Sequence, residues 1–307
     1  MQKPSGSTRK TRKATGPGRE AGVLRLAVPN KGRIAQPIQD LMDRSGLHLN
    51  GAGERRLIAK TCDPQVEILF ARPIDIPEYV ATGAADLGIT GQDMVRERGV
   101  TVDELLDLQI GYARMVLAVP EESGIAEVSQ LDGAKIATEF PVITRNFFEA
   151  HGISVEIVPV AGACEVTPHL GIADAIVDLT SSGTTLQSNR LRIVTEVMSS
   201  STVLIANRKA AKAKRTKVDE IVLALESVIR AKGQCYLMMN VRRSRLDAVK
   251  QVLPGLSGPT VMEVASREDL VAVHAVVAED RVYQLISQLR QAGAKDILVM
   301  AIQRMIR

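Results

Sequence analysis

Residues 178–185, Asp-Leu-Thr-Ser-Ser-Gly-Thr-Thr, place one carboxylate, five hydroxyls and a glycine within eight positions. The apolar run Ala175-Ile176-Val177 precedes them and Leu186 follows. This pattern predicts a buried strand, a turn and the start of a helix. A phosphate needs hydrogen-bond donors and positive potential. A strand-to-helix turn offers unpaired backbone N–H groups and the positive end of a helix dipole. Gly183 lets the backbone come close and adopt positive φ. Thr180, Ser181, Ser182, Thr184 and Thr185 add hydroxyl donors. Asp178 is the odd member, because an acid beside a phosphate costs energy. A ligand that also carries hydroxyls, such as a ribose 5-phosphate, satisfies the whole set: phosphate in the turn, sugar hydroxyls on the carboxylate. The same residues also describe an ordinary Ser/Thr-Gly turn whose Asp caps a helix. Neither a Walker loop nor a G-x-G-x-x-G is present.

The segments that must position this turn alternate between strand-like and helix-like. Strands are predicted at 23–28, 66–71 and 85–90, with helices after the polar turn Pro29–Arg33 and over 75–83, and another starting at 91. A second block repeats the style, with strands at 113–119, 134–140, 155–160 and 173–179 and a helix led by Pro141. A short helix is predicted over 164–172 despite its proline, and one more from Thr184. Two further strands, 192–198 and 201–207, are placed as returning to the first block. The alternation predicts an α/β fold with largely parallel sheets. Two such lobes with crossing connections form a cleft, the usual place for a small-ligand site.

Residues 208–232 read as one helix with a solvated basic start, and the pattern changes after Gly233. Strand, helix, two strands, helix and strand follow, with Val282, Leu285, Ile286 and Leu289 on one stripe of the last helix. That order is βαββαβ, the ferredoxin-like unit. It carries no catalytic constellation, which suits a regulatory or assembly role. The expected organisation is a tail (1–21), a first lobe (22–112 and 198–215), a second lobe (113–197), a linking helix (216–232) and a C-terminal domain (233–307).

Composition narrows the class. The net charge of +4 invites a nucleic-acid reading, but Lys3, Arg9, Lys10, Arg12, Lys13 and Arg19 sit in residues 1–19 without an acid. A chain total of +4 less these six leaves the remainder at −2, so no basic face for nucleic acid is expected. The tail is too polar to bury a core and reads as a disordered, solvated segment; binding something acidic and acting as a transit peptide are the alternatives. No apolar run is long enough to cross a bilayer, and no signal peptide is visible, so a cytoplasmic protein is expected. Cys62, Cys164 and Cys235 are far apart and read as reduced thiols. Four scattered histidines make no metal cluster.

The wider stretch "EVTPHLGIADAIVDLTSSGTTL" (165–186) has Glu165, Gly171, Ala173, Ile176, Asp178, Ser182, Gly183, Thr185 and Leu186 in an order that resembles the signature of the ATP phosphoribosyltransferases. "LRLAVPNKGRI", "ARPIDIPEYVATGAADLGITGQDMV" and "KIATEFP" resemble the same family in the same order. "YLMMNV", "LPGLSGPTVMEV" and "QLRQAGAKDILVMAI" resemble the regulatory domain of its long form. The resemblance runs from about residue 23 to the end.

It implies a bilobed core like the type II periplasmic binding proteins, with a C-terminal regulatory domain. It implies transfer of the phosphoribosyl group of 5-phosphoribosyl 1-pyrophosphate (PRPP) to N1 of ATP with loss of pyrophosphate, the first step of histidine biosynthesis. Mg²⁺ held mainly by substrate phosphates, assembly into homo-dimers and hexamers, and feedback inhibition by histidine are implied as well. On this reading residues 180–185 hold the 5-phosphate. Asp178 faces the ribose or its developing positive charge. Glu165 supports Asp178 or is only a helix residue. Lys31, Gly32 and Arg33 meet phosphates of ATP or pyrophosphate, or form a solvated basic turn. Arg72 meets anionic substrate. Asp93 contacts ATP or starts a helix as its cap. Asp174 is a weaker candidate, because the alternation of its strand can turn it to solvent.

A ligand-binding module is the rival class. A solute-binding protein would carry an export signal and a transcriptional regulator a helix-turn-helix; neither is seen. An inactive regulatory subunit is the third reading, and Asp178 in an intact hydroxyl turn argues against it.

Overall fold

The computed structural model describes residues 22–50, 57–181, 183–253, 258–265 and 267–306. The predicted tail and Ser182 therefore lie outside the described residues, as does part of the 253–264 stretch.

The first lobe contains β1 (Leu24–Pro29), α1 (Ala35–Arg44), β2 (Ile58–Lys60), β3 (Val66–Ala71), α2 (Ile76–Ala81), β4 (Leu87–Gly91), α3 (Gln92–Arg98) and β5 (Asp103–Asp107). The second contains β6 (Ala113–Pro120), β7 (Lys135–Thr138), α4 (Pro141–Ala150), β8 (Glu156–Pro159), β9 (Ala175–Thr180), α5 (Thr184–Ser188) and β10 (Leu191–Ser200). The chain returns through β11 (Thr202–Ala206), α6 (Arg208–Ala213) and α7 (Arg215–Ala231). The C-terminal domain is β12 (Gln234–Arg242), α8 (Leu246–Val252), β13 (Thr260–Glu263), β14 (Leu270–Ala278), α9 (Val282–Ala292) and β15 (Ala294–Ala301).

Each unit has its own sheet. The first runs β2-β3-β1-β4-β11-β5 and the second β10-β6-β9-β7-β8. In both, the core strands are parallel, and one antiparallel strand is inserted between the third and the last: β11 beside β4, and β6 beside β9. This exchange of one strand around two crossings is the type II periplasmic-binding-protein arrangement. The third sheet, β13-β14-β12-β15, is antiparallel throughout, which makes the C-terminal domain ferredoxin-like.

The crossing segments pair with each other. Leu108 N–H donates to Thr202 O (2.9 Å) and Thr202 N–H to Ile110 O (2.9 Å). β10 stays with the second sheet to Ser200, so the return comes at Ser201 and the sequence boundary at 198 falls inside a strand.

The cores follow the sequence periodicity. α1 buries Ile38, Leu41 and Met42, the i, i+3, i+4 face of a short helix. α7 buries Val218, Ile221, Leu225 and Val228 in that same core. Each such side chain is worth about 1.5–3 kcal/mol of gross hydrophobic stabilisation. α7 is therefore a wall of the first lobe as well as the link to β12.

Several elements differ from expectation for local reasons. The helix predicted over 208–232 breaks at Lys214, whose Nζ turns in to donate to Asp86 Oδ2 (2.9 Å) and Val23 O (2.7 Å). The segment 164–172 forms a single 3-10 turn at Cys164–Val166 and then irregular turns around Pro168. β2 and β5 are additional strands, both at sheet edges. α5 has five residues, so it adds little dipole to the turn before it. Among the described residues no helix is long and apolar enough to cross a membrane.

Candidate active site

Parallel sheets bind ligands beyond the carboxyl ends of their strands. The two lobes face each other with those ends. From the first come the turn Lys31–Arg33 after β1, Arg72 after β3 and Asp93 after β4. From the second come Glu139 after β7 and the Asp178–Thr185 segment at the end of β9.

Arg33 spans the gap. Its Nη1 donates to Ser181 Oγ across the lobes (2.6 Å), and Nη2 to the carbonyl of Gly111 (3.3 Å). Gly32, Arg33, Pro73, Asp93, Leu179 and Ser201 border a cavity of about 140 Å³ there. Typical small-molecule sites occupy roughly 300–1,000 Å³.

Asp178 is half-buried in β9, and Leu179 N–H donates to its Oδ1 (2.7 Å). Burial pushes its carboxyl up to about 6, and the nearby charges of Glu139 and Glu165 add to the rise. The strand pairing explains Glu139. β7 and β9 are parallel with Thr138 opposite Val177, so Glu139, the first residue after β7, comes beside Asp178, which is still in β9 and paired with β6. Glu165 lies in the 3-10 turn after Ala163, half-buried. Cys164 beside it is buried, and burial raises its thiol to about 12, so it remains protonated and unreactive.

The hydroxyl loop is partly spent on itself. Thr180 is buried and its Oγ1 accepts from Gly183 N–H (2.8 Å), which closes the turn. Thr180 thus shapes the loop, while Ser181, Thr184 and Thr185 are exposed. Gly183 has φ +79, and an added Cβ would meet no protein atom within 4 Å. Its glycine requirement is conformational, with open space in front of it.

Asp93 is 6% exposed in the first turn of α3. Ser200 Oγ donates to its Oδ1 (2.8 Å) and accepts from its own N–H (3.2 Å). The carboxylate folds over Gly91, where a Cβ would lie 2.0 Å from Oδ1, so only glycine fits. Arg72 is exposed but engaged: its Nε donates to Asp75 Oδ2 (2.8 Å), a carboxylate that Arg98 Nη2 shares (3.0 Å). Asp75 thus orients Arg72 through two of its five N–H donors, and the others remain able to meet an anion. Lys31 and Gly32 are exposed at the turn. Asp174 lies away from this group, where its Oδ2 accepts from Lys135 N–H (2.8 Å).

Glu97 was not singled out by sequence. From α3 of the first lobe it accepts the N–H of Val142 (3.1 Å) and of Ile143 (3.1 Å) in the first turn of α4. Glu139 stands within the quoted "KIATEFP" and could have been found only by knowing which strand lies beside β9. A wider groove of about 770 Å³ in the C-terminal domain is bordered by Gln234, Asp280, Arg281 and Gln284 and carries no comparable set of groups.

Comparisons with known proteins agree with this geometry. The family described as "HisG: ATP phosphoribosyltransferase" matches residues 72–227, and "HisG, C-terminal domain" matches 231–304. An ATP phosphoribosyltransferase of Methanococcoides burtonii is 54% identical over 284 residues, covering 92% of this chain and all of the relative. One from Methanosarcina barkeri is 52% identical over 289 residues, with 92% and 100% coverage. Among solved structures, the Thermotoga maritima "ATP phosphoribosyl transferase (HisG:HisZ) complex" aligns with TM-score 0.61 and 31% identity, over 68% of this chain and 99% of that one. With both regions matched in chain order and the relatives covered end to end, this protein belongs to the ATP phosphoribosyltransferase family, in the long form that carries a C-terminal regulatory domain.

Proposed function

We propose that the protein transfers the phosphoribosyl group of PRPP to N1 of ATP, releasing pyrophosphate, and that histidine acting on residues 233–307 inhibits it. The observation that carries the reaction is the facing pair of turns: hydroxyls, Gly183 and Asp178 on one lobe, and Arg33 on the other, joined across the cleft.

Displacement at the anomeric carbon builds positive charge on the sugar and negative charge on the departing pyrophosphate. No covalent enzyme intermediate is needed, so the protein's task is positioning and charge stabilisation. The exposed hydroxyls of Ser181, Thr184 and Thr185 and the loop backbone hold the 5-phosphate. Asp178, ionised above about pH 6, accepts from the ribose hydroxyls and faces the developing charge. Glu139 and Glu165 add negative potential on the same side. Arg33 exchanges Ser181 for a substrate phosphate, and Lys31 joins it. Asp93, fixed by Ser200, borders the adenine side.

Among the described residues no three acidic, histidine or cysteine side chains converge into a metal cage. Mg²⁺ is commonly bound by one or two carboxylates plus substrate phosphates. Asp178 with Glu139 or Glu165 suits that mode, and the ion would neutralise charge on the leaving pyrophosphate. Assembly into homo-dimers and hexamers is part of this reading.

The test is turnover of the purified chain with ATP, PRPP, Mg²⁺ and a pyrophosphatase, followed by ultraviolet absorbance of the N1-substituted adenine, with and without histidine. Product that falls on adding histidine supports both halves of the reading. Product without inhibition removes the histidine half. No product from folded protein refutes the reaction.

A further inference from the structure

After β15 the chain turns back onto the first lobe. Met305 N–H donates to Ser227 O in α7 (2.8 Å). Arg304 Nε donates to Arg44 O (2.7 Å). Arg44 is the last residue of α1, where helix carbonyls lack intrahelical donors and the dipole is negative. The guanidinium lies over Gly46: a Cβ there would be 2.8 Å from Nη2. Gly46 has φ +81, so it supplies both the left-handed turn and the room.

The other end of the same helix carries the anion-facing turn. Ala35 N–H donates to Gly32 O (3.2 Å) and Ile38 N–H to Ile34 O (3.1 Å). Between these ends α1 is a rod of about 15 Å. It is wedged into the lobe core through Ile38, Leu41 and Met42 and packs on α7. Close-packed interiors pass a displacement on instead of absorbing it. The C-terminal segment therefore grips one end of a stiff element whose opposite end holds Arg33 in the cleft.

We infer that Arg304 is a positioning residue for the turn Lys31–Arg33. It acts through α1, and it makes the placement of that turn depend on where the C-terminal domain sits. The inference rests on the proposed reaction only for the choice of ATP as a probe.

The test compares the full chain with Arg304→Gln and Arg304→Lys. Hydrogen–deuterium exchange is read over residues 30–37 and 43–48, and ATP affinity by titration. Arg304→Gln should speed exchange at both ends of α1. It should weaken ATP affinity about three- to fivefold, the scale of one charged helix-end contact, with kcat at saturation held within about twofold. Arg304→Lys keeps a cation at the helix end and should restore most of both. Faster exchange confined to 43–48, with 30–37 and ATP affinity unchanged, overturns the inference and leaves Arg304 a local cap. If the native chain binds no ATP, the proposed reaction fails, and exchange over 30–37 alone decides this inference.

Discussion

Arg33 Nη1 lies 2.6 Å from Ser181 Oγ, so the basic turn of one lobe and the hydroxyl loop of the other touch across the cleft. The bond joins two exposed side chains. On the proposed function it breaks when a substrate phosphate takes Ser181's place, and Arg33 then gains an anionic partner while Ser181 is one donor among several. Arg33→Gln should therefore raise the KM for substrate at least tenfold. Ser181→Ala should raise it by less than Arg33→Gln does, because the hydroxyls of Thr184 and Thr185 and the loop backbone remain as donors. Equal losses in steady-state kinetics would refute this division of labour.

Asp178 should give a pH signature of two kinds. Its carboxyl is raised from 3.8 to about 6, chiefly by burial. A raised acid means that the folded state favours the proton. Ionising Asp178 therefore costs stability, beginning near pH 4 and complete above about pH 6. Asp178→Asn should be more stable than the native chain at pH 8, on the order of 1 kcal/mol, with the difference gone at pH 4. On the proposed function turnover needs the ionised form, so it should rise through about pH 6 in the native chain. The variant should lose most activity together with that limb. Thermal unfolding at the two pH values and a pH–rate profile check both parts.

Gly183 separates backbone cost from ligand space. A Cβ there meets no protein atom, so Gly183→Ala pays only for positive φ, about 1 kcal/mol. Gly183→Val should go further and abolish PRPP binding, because its methyls enter the open space in front of the loop. Calorimetric titration of PRPP against both variants decides this. Unchanged affinity in the valine variant would mean that the space is not the phosphate site.

Glu97 ties the lobes on the α3–α4 side by accepting two N–H groups of α4. Pro141 has no N–H to offer in that first turn, so Glu97 does the capping from another lobe. Glu97→Ala should destabilise the protein by about 1–2 kcal/mol in urea unfolding, as loss of a charged cap does. Glu97→Gln should lose less, because it keeps an acceptor. A loss within error for the alanine variant would remove the interlobe cap from the account.

Much of this arrangement was legible because period-2 apolar runs and glycine-closed helices are local signals. Asp178, Gly183 and their hydroxyls stood out by composition alone. Glu139 did not, since its place beside Asp178 follows from β7 pairing with β9, a register no local pattern encodes. Glu97 and Arg304 act on backbone atoms 45 and 260 residues away, and charged side chains on helices or tails look alike in a sequence. Thr180 looked like a ligand donor and instead closes its own loop, because burial of the end of β9 leaves Gly183 N–H as its nearest partner. β5, "DELLD", was missed since acids bound it and it pairs only with β11.

That single pairing sets an order of assembly. β11 lies between β4 and β5, yet its residues, 202–206, follow the whole second lobe in the chain. During synthesis the first lobe waits with β4 uncovered on one side and β5 without a partner until β11 has emerged. The second lobe has every one of its strands by Ser200 and can finish first. The lobe encoded first is thus completed last, and its sheet edge is the surface that the nascent chain must keep from wrong partners in the interval.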